Sequence, residues 1–243
     1  NITGTFEGNY VNAILLANGG AIYNSGTITN ISASFINNYA LGKTGAKGGA
    51  IYTIKDLNFS ATNKAFEISG NYISTDEGQT KINQAVYIDA PYVTITFNLL
   101  EGGSYTIMDN FTGSETYNIL FKSEDKTGLI VFKGTLYNAN ATIDGVNFTP
   151  ASSTFADDTT TLTVNSGIIN LQDSSITDYY ITRLTSAADA EYTIDIDSTS
   201  GDFDKLFDGS SSSGIVTINS VQYSGDLREG TYQILHATKK DSN

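Results

Sequence analysis

Cysteine is absent from the 243 residues. That excludes a disulfide framework and any thiolate metal site, and it suits a chain exported through an oxidising periplasm. The single histidine, His236, lies near the C-terminus outside any dense polar cluster, which argues against a Ser-His-Asp triad and a histidine-based metal centre. Proline occurs only at Pro91 and Pro150, so a β-ladder would rarely be interrupted. Charge is scarce, at 16%, and one-sided: 13 Lys and Arg against 26 Asp and Glu give a net charge of −13. Without a basic patch, neither nucleic acid nor an anionic membrane surface is an expected partner. No apolar run reaches the roughly 18 residues of a membrane-spanning helix. No signal peptide is visible, and the chain begins in mid-pattern at Asn1-Ile2-Thr3-Gly4, so it reads as trimmed at its N-terminus.

What the chain does contain points to strands. Ile, Val, Thr, Tyr and Phe suit a pleated surface, while Gly, Asn, Asp and Ser supply turns. Repetition is the strongest feature. Gly19-Gly20-Ala21-Ile22-Tyr23-Asn24 returns as Gly48-Gly49-Ala50-Ile51-Tyr52-Thr53, 29 residues later, and Phe6-Glu7-Gly8-Asn9-Tyr10 returns as Phe35-Ile36-Asn37-Asn38-Tyr39 at the same spacing. Phe66–Tyr72 reads as a third Phe-x-x-Asn-Tyr copy with two inserted residues, and Asn83-Gln84-Ala85-Val86-Tyr87 as a third Gly-Gly-Ala-Ile-Tyr without its glycines. Beyond about residue 90 the motif fades, but short alternating strands continue at Val93–Asn98, Ser104–Met108, Gly128–Phe132, Ala141–Phe148, Thr160–Val164 and Gly167–Leu171.

Neither a helical period nor a Leu-rich ladder is present, so helical and leucine-rich repeats do not fit. Three short strands and three turns fill one unit, which is one coil of a solenoid whose interior closes only by stacking on its neighbours. The fold expected is all-β: a right-handed parallel β-helix of about nine or ten coils, forming a rod of roughly 45 Å at one strand spacing per coil. The paired glycines suit a tight corner with positive φ. Phe fills the interior, and the motif Asn either occupies a left-handed turn or stacks on the Asn of the next coil.

Gly-Gly-Ala-Ile paired with Phe-x-x-Asn resembles the repeat signature of chlamydial polymorphic membrane proteins, and related repeats in bacterial autotransporter passengers. The resemblance covers residues 1–90. Ala190–Asp197, Gly214–Ile218 and Glu229–Leu235 are similar, more weakly, to the end of such a passenger ahead of a membrane-spanning barrel. The resemblance implies a type V-secreted protein at the cell surface or outer membrane, often an adhesin, whose partner is a host surface protein, a glycan or the protein itself. It names no ligand, and residues 91–185 lack the motif.

Candidate binding residues are the tyrosines that recur in register, Tyr10, Tyr39 and Tyr72 in one set and Tyr23, Tyr52 and Tyr87 in the other, with Tyr179-Tyr180 as a separate exposed pair. A calcium site is the candidate metal centre, from Asp195, Asp197, Asp202 and Asp204 around the Gly201 turn, although no EF-hand loop is present; no other cofactor is expected. Catalysis would require two carboxylates facing one groove. Asp157-Asp158 reads instead as turn chemistry, and neither Arg183 nor Arg228 adjoins an acidic cluster. The chain divides into a main stack over residues 1–185 and terminal coils or a cap with a polar tail over 186–243. The expected function is a non-catalytic surface segment acting in adhesion or self-association. A polysaccharide-active β-helix enzyme and a purely structural stalk are the alternatives.

Overall fold

A computed structural model describes residues 1–155, 157–173, 175–181, 183–197, 202, 204–208, 213–214, 217–224 and 235–237. Among them there are strands and turns but no helix. The strands stack into a parallel β-solenoid of about eight turns. Alternation explains each strand: in Ile31–Ile36 and Thr94–Leu100 every second side chain points inward and is buried.

Pairing is in register, so each repeat lays like residues on like. Ile2–Glu7 pairs with Ile31–Ile36, placing Phe6 on Phe35, and Ile22–Asn24 pairs with Ile51–Thr53, placing Tyr23 on Tyr52. The interior is a column of aromatic rings, with Phe59 on Phe97 at 4.6 Å between centroids and Phe97 on Phe121 at 5.2 Å. Such contacts are worth about 0.5–1.5 kcal/mol each beyond area burial.

The turn count is lower than the nine or ten expected because the early turns are long. Equivalent rungs lie 29, 33 and 38 residues apart at Asn9–Asn38–Asn71–Asp109, and only later shorten to 25 and 22. The third Phe-x-x-Asn copy is also placed differently. Ile68, not Phe66, pairs with Phe35, so the copy is Ile68–Tyr72 with Ile in the Phe position and no insertion. Val86 and Tyr87 do pair with Ile51 and Tyr52, as the degenerate third copy requires.

Only the first glycine of each pair turns left-handed, Gly19 at φ +69° and Gly48 at +64°. The second is needed for closeness: a Cβ on Gly20 would lie 2.0 Å from the Gly49 carbonyl oxygen, and one on Gly49 would lie 2.5 Å from the Tyr72 nitrogen. The strands seen in the later sequence are present, and some are longer. Leu136–Pro150 and Thr161–Asn170 each turn a corner within one strand, with register shifts there. The 185/186 boundary falls inside the strand Arg183–Asp197, which continues the ladder from Thr161–Asn170.

Candidate functional site

Beside the main sheet runs a smaller one, ordered Tyr10–Ala13, Tyr39–Gly42, Tyr72–Ser74 and Ile82–Asn83, the last antiparallel. Parallel in-register pairing sets Tyr10, Tyr39 and Tyr72 in one column. Their rings lie 5.1 Å apart at both steps, tilted by only 7° and 10°. That spacing follows the strand separation of about 4.8 Å. Tyr23, Tyr52 and Tyr87 form the second column, with centroids 4.9 and 6.3 Å apart. Both tyrosine sets expected from the sequence are therefore columns.

The columns have distinct ends. Tyr10 and Tyr23, on the first turn, are exposed, and Tyr52 is buried. A lysine meets the last ring of each column: Lys81 Nζ lies 4.5 Å from the Tyr72 centroid, and Lys47 Nζ lies 4.6 Å from that of Tyr87. Tyr52 Oη and Lys47 Nζ both donate to Asp89 Oδ2, each at 2.8 Å. Burial, reinforced by the Asp89 carboxylate, holds the Tyr52 hydroxyl well above its ordinary range. Burial alone would raise Asp89; the bonds from Lys47 and Tyr52 win and hold it below the usual carboxylate value. None of Lys47, Lys81 and Asp89 belongs to a motif, and only the repeat register could have pointed to them.

Between the columns and the core runs a polar ladder. Asn9 donates its backbone N–H and side-chain amide to Asn38 Oδ1, and Asn38 donates both to Asn71 Oδ1. Asn71 donates both to Asp109 Oδ2. Of the two roles considered for the motif Asn, stacking on the next coil is therefore the one observed. The left-handed position falls to the residue before it, Gly8, Asn37 or Gly70. Asp109, which ends the ladder, was not singled out in the sequence because it stands one position short of the motif spacing.

The other candidates fare differently. Tyr180 is exposed, but Tyr179 is buried and its hydroxyl donates to the Leu171 carbonyl at 2.9 Å, which corrects the expectation of an exposed pair. Asp204 is buried, and its two carboxylate oxygens accept the N–H groups of Thr177 and Asp195 at 2.8 and 2.7 Å. Its carboxyl is pushed up to about 6, first by burial and then by the nearby Asp195 and Asp173 charges. Asp195 accepts the Asp173 N–H, Asp202 is exposed, and the Asp197 side chain lies outside the described part. Among the described residues no three acidic, His or Cys side chains converge as a metal cluster would. Asp157 accepts the Asn138 N–H and Thr159 and Thr160 hydroxyls, which is turn chemistry. The side chain of His236 also lies outside the described part.

Residues 27–54, holding the second copy of both motifs, match the Chlamydia polymorphic membrane protein repeat. The chain is similar to the chlamydial polymorphic membrane proteins, which are autotransporters. No curated protein and no solved structure matches it. The residues conserved within its own repeats now have physical roles. Phe35 packs the interior, Asn38 carries the polar ladder, Gly48 and Gly49 make the corner, and Tyr39 and Tyr52 build the outer columns.

Proposed function

We propose that this chain is part of a type V-secreted passenger at the bacterial cell surface, acting in adhesion or self-association and carrying no catalysis of its own. One observation carries the reading: the repeat shared with polymorphic membrane proteins builds outer tyrosine columns as well as the core. Aromatic rings fixed on a rigid scaffold offer contact area at little entropic cost. The partner is a host surface protein or glycan, or a second copy. Membrane attachment belongs to a barrel beyond these residues. The coil is taken as right-handed, the sense favoured by parallel crossover connections.

Size-exclusion chromatography with light scattering, at two concentrations and with or without calcium, tests self-association. Concentration-dependent dimers or chains support it. A strict monomer throughout leaves an external ligand as the function. Release of reducing ends from a polysaccharide panel would replace both readings with the enzyme.

A further inference from the structure

The column Tyr10–Tyr39–Tyr72 opens at its Tyr72 end into a cleft of about 540 Å³, walled by Asn37, Tyr39, Tyr72, Lys81, Asn83 and Asp109. The smaller sheet stops here, at Ile82–Asn83. The volume is within the range of small-molecule sites, about 300–1,000 Å³.

Ring faces decide what the column can offer. Tyr39 has a tyrosine against each face. Tyr72 has one face against Tyr39, and its other face meets Lys81. Lys81 is exposed and takes part in none of the ion pairs among the described residues. A cation over an exposed ring is worth only about 0.5–1 kcal/mol, so water competes readily for this lysine.

The surroundings are rich in uncharged hydrogen-bonding groups. Asn83 accepts the Asn110 N–H through Oδ1, donates to the Met108 carbonyl at 3.4 Å, and its side chain also bonds the Asp109 carboxylate, which fixes it at the cleft wall. Asn37, held left-handed at φ 55°, packs its side chain over Gly70, where a Cβ would lie 2.3 Å from Asn37 Oδ1. Asp109 forms the floor, its oxygens bonded to the Gly70 and Asn71 N–H groups.

We infer that this cleft is a saccharide subsite: a pyranose ring stacks on Tyr72 once Lys81 swings aside, and its hydroxyls bond to Asn37 and the displaced ammonium. A sugar ring presents an apolar C–H face and a rim of hydroxyls, which the phenol face and amide rim complement. A basic ligand is opposed by Lys81, and a wholly apolar one leaves the Asn37 amide unpaired. The inference rests on the adhesive reading and gives it a ligand class.

Saturation-transfer NMR on the intact chain tests it, with lactose, N,N′-diacetylchitobiose and 3′-sialyllactose as probes up to about 10 mM. Transfer to ring protons of at least one probe is expected, weakened about tenfold or more by Tyr72→Leu and unchanged by Tyr137→Ala, an exposed ring away from the cleft. Lys81→Phe, at an exposed position, fills the Tyr72 face without touching the core and is expected to block binding equally. Absence of transfer from all three probes, or equal transfer in Lys81→Phe, overturns the inference. Adhesion to cells without sugar binding would remove the subsite and leave the adhesive reading; sugar binding without adhesion would do the reverse.

Discussion

Asn71 gives both its backbone N–H and its side-chain amide to a single oxygen of Asp109, at 2.9 and 2.7 Å, while its own Oδ1 accepts the same pair from Asn38. The ladder therefore has a direction, and it ends on a group that, when ionised, can only accept.

Asn71→Ala removes the middle of this ladder. The Phe35 carbonyl, the Asn38 N–H and one bond to Asp109 lose their partner within a buried strip. A loss of about 2–4 kcal/mol is expected, from the cost of unpaired buried polar groups. Urea unfolding followed by circular dichroism measures it; a loss under about 1 kcal/mol would show that the ladder is incidental.

Asp109→Asn makes the ladder uniform, and its effect depends on pH. Burial pushes the Asp109 carboxyl above its ordinary value, against the N–H groups that bond it. The folded state thus holds the proton more tightly than the unfolded state, so stability is lost as pH rises through the raised value. Asn has no such loss. The variant should gain on the wild type as pH rises above the ordinary carboxylate value of about 4 in paired unfolding curves. A constant difference above that value would contradict the assignment.

Gly49→Ala and Gly102→Ala separate crowding from backbone strain. A Cβ at Gly49 meets the Tyr72 backbone, whereas Gly102, at φ +72°, has nothing within 4 Å. Gly102→Ala should cost about 1 kcal/mol, from positive φ alone. Gly49→Ala should cost clearly more, about 3 kcal/mol, because two strands must part. Thermal unfolding gives the order, and the reverse order would refute the explanation of the second glycine.

Tyr52→Phe keeps the ring column but removes the hydroxyl that donates to Asp89, whose same oxygen also takes Lys47. A loss of about 1 kcal/mol is expected, with the Tyr23 and Tyr87 ring contacts intact. Urea denaturation reads the loss, and a neutral result would assign Asp89 to Lys47 and Ser114 instead.

The fold was legible because in-register parallel pairing makes periodicity visible: Tyr23 and Tyr52 share a motif because they share a column. The same logic made both tyrosine sets legible as columns. It failed where function or packing depends on residues outside the repeat. Lys81 and Lys47 reach the columns from a loop edge and a short strand, and Asp89 lies at the end of one. Tyr179 shows the other failure, because adjacent tyrosines in a strand face opposite sides and only Tyr180 faces out. The third Phe-x-x-Asn copy misled because Phe66 offered a better letter match than Ile68, which holds the position in space.

The most direct test of the account is saturable binding of the labelled chain to cultured epithelial cells, compared with a Tyr10→Ala/Tyr23→Ala/Tyr180→Ala variant. These three rings are 61%, 58% and 57% exposed, so the core is left alone. The account predicts saturable binding that falls about tenfold or more in the variant at unchanged melting temperature. Equal binding by both proteins, or none by the wild type, would contradict an adhesive role for the tyrosine surface.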